Sequence, residues 1–235
     1  LKGTNWCKQV NLRANKLNFL SIDLTQKDHF LSIIYEGKNL DLKFNNPSRQ
    51  NINNWDTKID RILEEFKGFD FKKLDFNFYA AGPGSYTGAR LAFTFLDTLK
   101  YIHSIPFVGF SNLLIMQRLY PRCIPVIQGT RKDYFFRYND EDLYTTDKQY
   151  LSSLGDNFST LENQHLFSQS EKISLERVAK EMLELGAREN GFKAGNIFPN
   201  YIKPLEYKKI HEWIEPVSGD CFIFNSGIHR VFAYF

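Results

Sequence analysis

A glycine-rich segment is the part of this sequence whose residue types and spacing come nearest to a chemical site. It contains Gly82, Gly84, Ser85, Thr87 and Gly88, and it stands between an apolar run and an amphipathic run. Backbone N–H groups in such a turn can bind an anion at the positive end of the following helix. A tight turn, in which glycine supplies conformational freedom, explains the same residues. The five residues are therefore a candidate anion-binding turn, with the tight turn as the favoured explanation.

Spacing excludes three common motifs at this segment. A Walker A loop needs four residues between its glycines, then Lys and Ser or Thr, whereas Gly82 and Gly88 enclose five residues and Ala89 follows. A dinucleotide-binding fingerprint needs Gly or Ala where Thr87 stands. The G-x-S-x-G nucleophile elbow needs a glycine two residues before Ser85, and the sequence has none there. The segment therefore predicts no catalytic residue.

The histidines and acidic residues show no pattern of a metal or acid–base site. None of the five histidines stands four residues from another, which is the spacing by which zinc peptidases hold their ion on one helix face. Asp23 ends a predicted strand, where many α/β sites keep an acid. We expect no metal site in this chain.

Hydrophobic periodicity predicts the elements that position the glycine segment. In the first half it predicts a three-stranded meander over residues 17–44, a helix from an Asn46 cap and Pro47 to Gly68, a buried strand at 76–81, a helix at 89–103, a strand at 106–110 and a short helix capped by Ser111. In the second half it predicts strands at 124–128 and 134–138, a helix capped by Ser174 and an extended segment at 199–204. Residues 140–172 predict no clear element. The pattern indicates the α/β class.

Composition excludes several classes of protein. The chain has 235 residues, of which 43% are hydrophobic and 24% charged, as in folded globular proteins. Its net charge of +3 comes from scattered basic residues and does not indicate a nucleic-acid surface. Its three cysteines form no disulfide or metal-knuckle pattern. We expect a cytoplasmic protein without a signal peptide or a membrane span.

One stretch resembles a known protein family. Residues 79–91 read Y-A-A-G-P-G-S-Y-T-G-A-R-L, and residues 105–113 read I-P-F-V-G-F-S-N-L. Together they are similar to the G-P-G-S-F-T-G-x-R and P-V-V-G-V-S-S-L signature of the TsaB (YeaZ) proteins. The opening strand at 19–25 and the stretch at 199–204 are similar to further family motifs, so the resemblance spans residues 17–204.

This resemblance implies the actin, Hsp70 and sugar-kinase fold, which is ribonuclease H-like and has two α/β lobes with mixed sheets. It implies a non-catalytic scaffold that holds the TsaD-like catalytic paralogue during formation of threonylcarbamoyladenosine at position 37 of tRNA. A TsaE-like ATPase joins that assembly, the scaffold can dimerise when alone, and tRNA meets it only through the complex. No cofactor of its own is expected, since ATP and metal belong to the partner subunits.

The resemblance also implies an interface and a division into domains. In the family, two helices of the first lobe bind the partner, which here points to Trp55, Ile59, Ile62, Arg90 and Phe93. The expected domains are an N-terminal extension (1–16), disordered or non-native, a first lobe (17–113), a divergent second lobe (114–204) and a tail of unknown role (205–235). The alternative for the five interface side chains is that they fill only the internal core.

Departures from the family pattern keep alternatives open. Gly129 replaces an acid that the family has at the turn of the second lobe, while Arg131 is kept, and Lys203 replaces an arginine. The missing acid argues against kinase-like phosphate chemistry in the cleft that the family fold would form at this turn. An ATP-binding phosphotransferase of the same fold is the alternative function. A glycopeptidase conflicts with the lack of a metal-binding histidine pair.

Overall fold

The computed structural model describes residues 17–45, 55–129, 132–188 and 197–203. These residues belong to one compact unit that ends at Lys203. The expected extension at 1–16, the helix start at Asn46 and Pro47 and the tail at 205–235 lie outside the described residues.

The first sheet contains β1 (Phe19–Asp23), β2 (His29–Tyr35), β3 (Lys38–Phe44), β4 (Phe76–Gly82) and β5 (Phe107–Ser111). Its strand order is β3-β2-β1-β4-β5. The first three strands pair antiparallel, as the predicted meander requires, whereas β4 runs parallel to β1 and β5 parallel to β4. Both β1 and β4 are buried along their whole length. A strand covered on both faces needs no polar alternation, which is why β4 is an almost uninterrupted apolar run.

The helices of the first half are α1 (Trp55–Glu65), a 3-10 turn (Phe71–Lys73), α2 (Tyr86–His103) and α3 (Asn112–Leu119). α2 begins at Tyr86, three residues before the predicted start, because Ser85 caps it. Ser111 caps α3 as predicted, with its Oγ accepting from the N–H groups of Leu113 and Leu114 at 3.2 and 3.4 Å.

The second sheet contains β6 (Ile124–Gln128), β7 (Tyr134–Tyr138), β8 (Glu141–Thr145), β9 (Phe158–Leu161) and β10 (Ser170–Ile173). Its order, β10-β9-β6-β7-β8, is that of the first sheet read in the opposite direction, with the same parallel and antiparallel pairs. α4 (Lys148–Ser153) stands between β8 and β9, as α1 stands between β3 and β4. Residues 162–169, between β9 and β10, contain no helix, so the second sheet has no counterpart of α2.

The last helix, α5 (Leu175–Arg188), lies against β1, β2 and β4 of the first sheet and against α3. α3 also contacts β6 and β7, so these two helices fill the space between the sheets with one continuous core. α1 and α2 cover the outer face of the first sheet, and α4 covers the outer face of the second. Helices and sheets therefore alternate in five layers. By its position in the sequence, α5 belongs to the expected second lobe (114–204). In the structure it packs on the first sheet.

Four elements appear where the sequence predicted none. β8, α4, β9 and β10 occupy residues 141–173, a stretch that looked polar and irregular. These elements are four to six residues long, and Ile173 is the one fully buried residue of β8 and β10, so they leave little hydrophobic periodicity to detect.

Candidate functional site

The glycine segment packs tightly against the turn that follows β1. A Cβ on Gly88 would lie 1.8 Å from the carbonyl oxygen of Leu24, and a Cβ on Gly84 would lie 2.6 Å from that of Thr25. No side chain tolerates such distances, so only glycine fits at these two positions. Gly82 has a φ of +104°, which side chains rarely adopt. The three glycines are thus required by close packing and by backbone conformation.

Ser85 has a structural role as the N-cap of α2. Its Oγ accepts a hydrogen bond from the N–H of Gly88 at 3.1 Å, and its own N–H donates to the carbonyl oxygen of Thr25 at 2.7 Å. The side chain of Thr87 is exposed beside it. These bonds agree with a tight turn that starts a helix. Anion binding at the segment stays a prediction.

A cleft of about 550 Å³ lies beside this turn. Its lining comes from the turn after β1 (Thr25, Gln26, Lys27), from the glycine segment and the start of α2 (Gly84, Ser85, Tyr86), from β6 to β7 (Ile127, Gln128, Gly129, Asp133, Phe135) and from Lys203. Both sheets therefore contribute walls to the cleft. Ligand-sized clefts in α/β proteins lie at such junctions.

Asp133 supplies a carboxylate to this cleft that the sequence analysis missed. Its oxygens lie 3.0 and 3.1 Å from Lys203 Nζ, and Oδ1 also accepts a hydrogen bond from the Tyr144 hydroxyl at 2.7 Å. The hydrogen bond to Asp133 is the main cause of a raised pKa of Lys203. A hydrogen bond to the same carboxylate is also the main cause of the raised pKa of Tyr144. The N–H of Gly129 donates to the carbonyl oxygen of Asp133 at 2.9 Å and closes the turn. An acid is thus present at this turn, four residues after Gly129; Arg131 lies outside the described residues.

Asp23 does not line the cleft. Its side chain is 1% exposed, and its Oδ1 accepts hydrogen bonds from the N–H and the Oγ1 of Thr25 at 2.8 and 2.7 Å. Burial raises the pKa of Asp23, and the two bonds from Thr25 oppose that rise. The carboxyl group therefore shapes the turn after β1, on which the glycine segment packs.

Two of the three predicted interface residues on α1 reach the protein surface. Trp55 and Ile59 are half-buried, and the indole of Trp55 stacks on Phe95 of α2 with ring centroids 3.9 Å apart. Ile62 is 1% exposed and belongs to the core between α1 and the first sheet. Ile62 therefore offers almost no exposed surface in this structure, and its role at an interface stays a prediction, because the periodicity that marks a buried face and a docking face is the same.

The two predicted interface residues on α2 face residues 197–203. Arg90 Nε donates a hydrogen bond to the Tyr201 hydroxyl at 2.8 Å. The ring of Phe93 lies 5.9 Å from that of Phe198 and 5.7 Å from that of Phe107. This side of α2 is therefore partly covered by the chain itself.

A different side of α2 continues the surface of α1. Leu91, Phe95 and Ile102 recur at helical spacing on the side that Trp55 contacts, with Ile102 60% exposed. On α1, Leu63 continues the stripe of Trp55 and Ile59 and is 44% exposed. The sequence analysis did not assign Leu63, Leu91, Phe95 and Ile102 to the interface, although Leu63 follows Ile59 by four residues, and Leu91, Phe95 and Ile102 follow one another at intervals of four and seven. We call these six residues, Trp55, Ile59, Leu63, Leu91, Phe95 and Ile102, the helix-pair face.

Two features are absent from the described part of the chain. No group of three or more His, Cys, Asp or Glu side chains there is arranged to hold a metal ion. No helix among those residues is long and apolar enough to cross a membrane.

Residues 46–201, well over half of the chain, match the family model described as TsaD: tRNA N6-adenosine threonylcarbamoyltransferase. The chain belongs to this TsaD family. No curated protein sequence matches the chain.

Solved structures show the same fold as this TsaD family member. A Pseudomonas aeruginosa protein described as similar to the peptidase YeaZ aligns with a TM-score of 0.58 at 17% identity, over 80% of this chain and 100% of its own. YeaZ from Pseudomonas aeruginosa aligns with the same TM-score and identity, over 79% and 99%. The resemblance to TsaB (YeaZ) proteins and the two-lobe α/β fold that it implied are therefore confirmed.

Proposed function

We propose that this chain is a non-catalytic scaffold that binds and stabilises a TsaD-like transferase for threonylcarbamoylation of adenosine 37 in tRNA. A TsaE-like ATPase completes the assembly, and the chain pairs with itself when the transferase is absent. ATP, metal and tRNA are handled by the partner subunits or by the whole complex, which works in the cytoplasm. Membership of the TsaD family and the YeaZ-like fold support this proposal.

The observation that carries the proposal is the helix-pair face. The stack of Trp55 on Phe95 joins the apolar stripes of α1 and α2 into one continuous surface, on which Leu63 is 44% and Ile102 60% exposed. Large apolar side chains grouped on an outer helical layer are typical of a protein–protein interface. The second sheet lacks a counterpart of α2. Among the described residues, such a pair of outer helices is therefore found only on the first sheet.

Three residues that could do chemistry, two of them singled out from the sequence, support a scaffold as well. Ser85 caps α2, and Asp23 is buried and bonded to Thr25. The Asp133 carboxylate contacts Lys203 and Tyr144. These side chains make bonds that stabilise local structure, and a scaffold requires no more of them.

The test is complex formation with the TsaD-like protein of the same organism, measured by light scattering after gel filtration. We expect a 1:1 complex with the wild-type chain. Leu63→Glu places a charge on an exposed part of the helix-pair face without disturbing the core, and we expect it to weaken the complex at least tenfold. Tyr150→Glu is the matched control, because Tyr150 is 47% exposed on α4, on the outer face of the other sheet.

Two results would contradict this proposal. A wild-type chain that is folded and yet forms no complex at micromolar concentrations refutes the scaffold function. A complex that Leu63→Glu and Tyr150→Glu affect equally refutes the helix-pair face as its site.

The alternative, an ATP-binding phosphotransferase-like protein, is favoured by the cleft between the sheets and its lysines, Lys27 and Lys203. Titration calorimetry of the isolated chain with Mg·ATP discriminates the two functions. Binding in the micromolar range, weakened by Lys27→Met and followed by phosphate release, supports the alternative. The scaffold proposal expects no turnover by the chain alone.

A further inference from the structure

Residues 197–203 cross the edge of the molecule where the two sheets meet, and we call them the bridging segment. Two hydrogen bonds fix this segment to the first sheet. The N–H of Asn200 donates to the carbonyl oxygen of Ala81 at 2.8 Å, and the Tyr79 hydroxyl donates to the carbonyl oxygen of Ile197 at 2.7 Å. The pairing of β4 with β5 shifts register between Ala80 and Gly82, which frees the backbone of Ala81 for a partner outside the sheet.

The same segment is also bonded to α2 on the outer face of that sheet. Arg90 Nε donates to the Tyr201 hydroxyl at 2.8 Å, and the Tyr86 and Tyr201 rings lie 5.5 Å apart. Phe198 lies against Phe93. The segment is thus tied to β4 and to the helix that follows it.

Two other side chains of the segment bond to the second sheet. Asn200 Nδ2 donates to Asp142 Oδ2 at 2.7 Å, and Lys203 Nζ lies 3.0 Å from Asp133 Oδ2. Asp142 is in β8, and Asp133 immediately precedes β7. Asn200 is therefore bonded to both sheets, with its backbone bonded to β4 and its side chain to β8.

Asp142 is a firm attachment point. Its side chain is 11% exposed, and Arg137 Nη1 donates to its Oδ1 at 2.7 Å. The hydroxyl of Ser111, at the end of β5, bonds to the other oxygen. A charge-assisted bond in such a shielded position is stronger than one in water.

Apolar burial holds the segment mainly at Ile202, which is partly buried against the core between the sheets. Ile197, Phe198 and Tyr201 are 43%, 64% and 47% exposed. Directed hydrogen bonds therefore supply much of the attachment of the other residues, and polar substitutions can weaken it.

We propose that the bridging segment is an interlobe clasp, which holds the two sheets at a fixed separation across the cleft. Its last residue, Lys203, lines the cleft and bonds to the wall formed by the second sheet. The two sheets can move apart at this edge only when the Asn200 and Lys203 bonds break together with the bond from Ser111 to Asp142. The clasp is a property of the isolated chain and does not depend on any partner.

The test is the distribution of distances between two spin labels, measured by double electron–electron resonance. The labels replace exposed Thr98 on α2 and exposed Gln149 on α4, in a chain whose Cys7, Cys123 and Cys221 are changed to Ser. We expect one narrow distribution when Asn200 and Lys203 are unchanged. In an Asn200→Ala, Lys203→Met double variant we expect a distribution at least twice as wide. Tyr144→Phe is the matched control, because it removes a bond to the same Asp133 within the second sheet, and it should leave the width unchanged.

A second variant guards against a simple loss of folding. Asn200→Asp keeps the backbone bond to Ala81 and the size of the side chain but sets a carboxylate against Asp142. We expect it to widen the distribution while circular dichroism stays native. An unchanged width in Asn200→Asp and in a folded double variant overturns the clasp, as does equal widening by Tyr144→Phe.

Discussion

His29, at the start of β2, is a buried histidine with a strongly shifted pKa. Its side chain is 3% exposed, and its Nδ1 has no hydrogen-bond partner among the described residues. Burial, and after it the positive charge of Lys58, lower the pKa of His29 to about 4 against the opposing effect of Asp28. The folded protein therefore keeps this imidazole neutral well below the pH at which an unfolded chain protonates it.

This shift predicts a loss of stability in mild acid. Between about pH 6.5 and pH 4 the unfolded chain binds a proton at His29 that the folded chain does not, so stability falls as the pH falls. From pH 7 to pH 5 we expect His29 to account for a loss of about 2 kcal/mol in the free energy of unfolding. Urea denaturation of the wild type and of His29→Gln at both pH values measures it.

For each protein, the free energy of unfolding at pH 5 is compared with that of the same protein at pH 7, because His29→Gln also lowers stability at every pH. Asp23 has a raised pKa and so acts in the opposite direction, but it is present in both proteins and cancels in the comparison. An equally steep loss between pH 7 and pH 5 in both proteins would show that His29 is not the source.

Single glycines show how a motif can mislead at the residue scale. Gly84 and Gly88 fit an anion-binding pattern in the sequence, yet each lies against a backbone oxygen of the turn after β1. The requirement for glycine there comes from residues some sixty positions earlier in the chain, and no local spacing reveals it.

At the scale of the element, Ser85 is expected to stabilise α2 through its cap. Ser85→Ala removes the acceptor for the Gly88 N–H, and we expect a loss of about 1 kcal/mol in unfolding free energy. Ser85→Asp keeps an acceptor and adds a favourable charge at the N-terminus, so it should retain wild-type stability within about 0.5 kcal/mol. Chemical denaturation measures both. Equal losses in the two variants would remove capping as the role of Ser85.

The predictability of the elements follows from how local their signals are. β1, β2, β4 and α3 were predicted because apolar runs and cap residues mark them within a few positions. β8 and β10 were missed because they are short and contain one fully buried residue, Ile173, between them, and because pairing with distant strands defines them. The start of α2 was misplaced by three residues, although Ser85 could have been recognised as a cap.

At the scale of the whole molecule, α5 joins the end of the second half to the first sheet. A Cβ on Gly186 would lie 2.4 Å from the Phe78 ring in the centre of β4. The helix can approach the sheet this closely only because residue 186 has no side chain, and the space between the two sheets is filled as a result.

This contact predicts a specific coupling between two distant positions. Gly186→Ala should cost about 1–3 kcal/mol of unfolding free energy by overpacking against Phe78. Phe78→Leu makes room, so the double variant should be more stable than the sum of the single losses by at least about 0.5 kcal/mol. Gly186→Ala combined with Phe136→Leu is the control, because Phe136 is equally buried but lies on the outer face of the second sheet. Strict additivity in both pairs would contradict the contact.

The sequence by itself determined the α/β class, the strand–glycine–helix unit and the helices that carry the helix-pair face. These features depend on periodicity, caps and turn residues within short windows, which a sequence records directly. Only the tertiary structure decided that Ile62 is core while Leu63 is exposed, that Asp133 pairs with Lys203, 70 positions away, and that Asn200 joins the two sheets. Such contacts join residues far apart in the chain, and their partners are chosen by how whole elements pack, so no local pattern contains them.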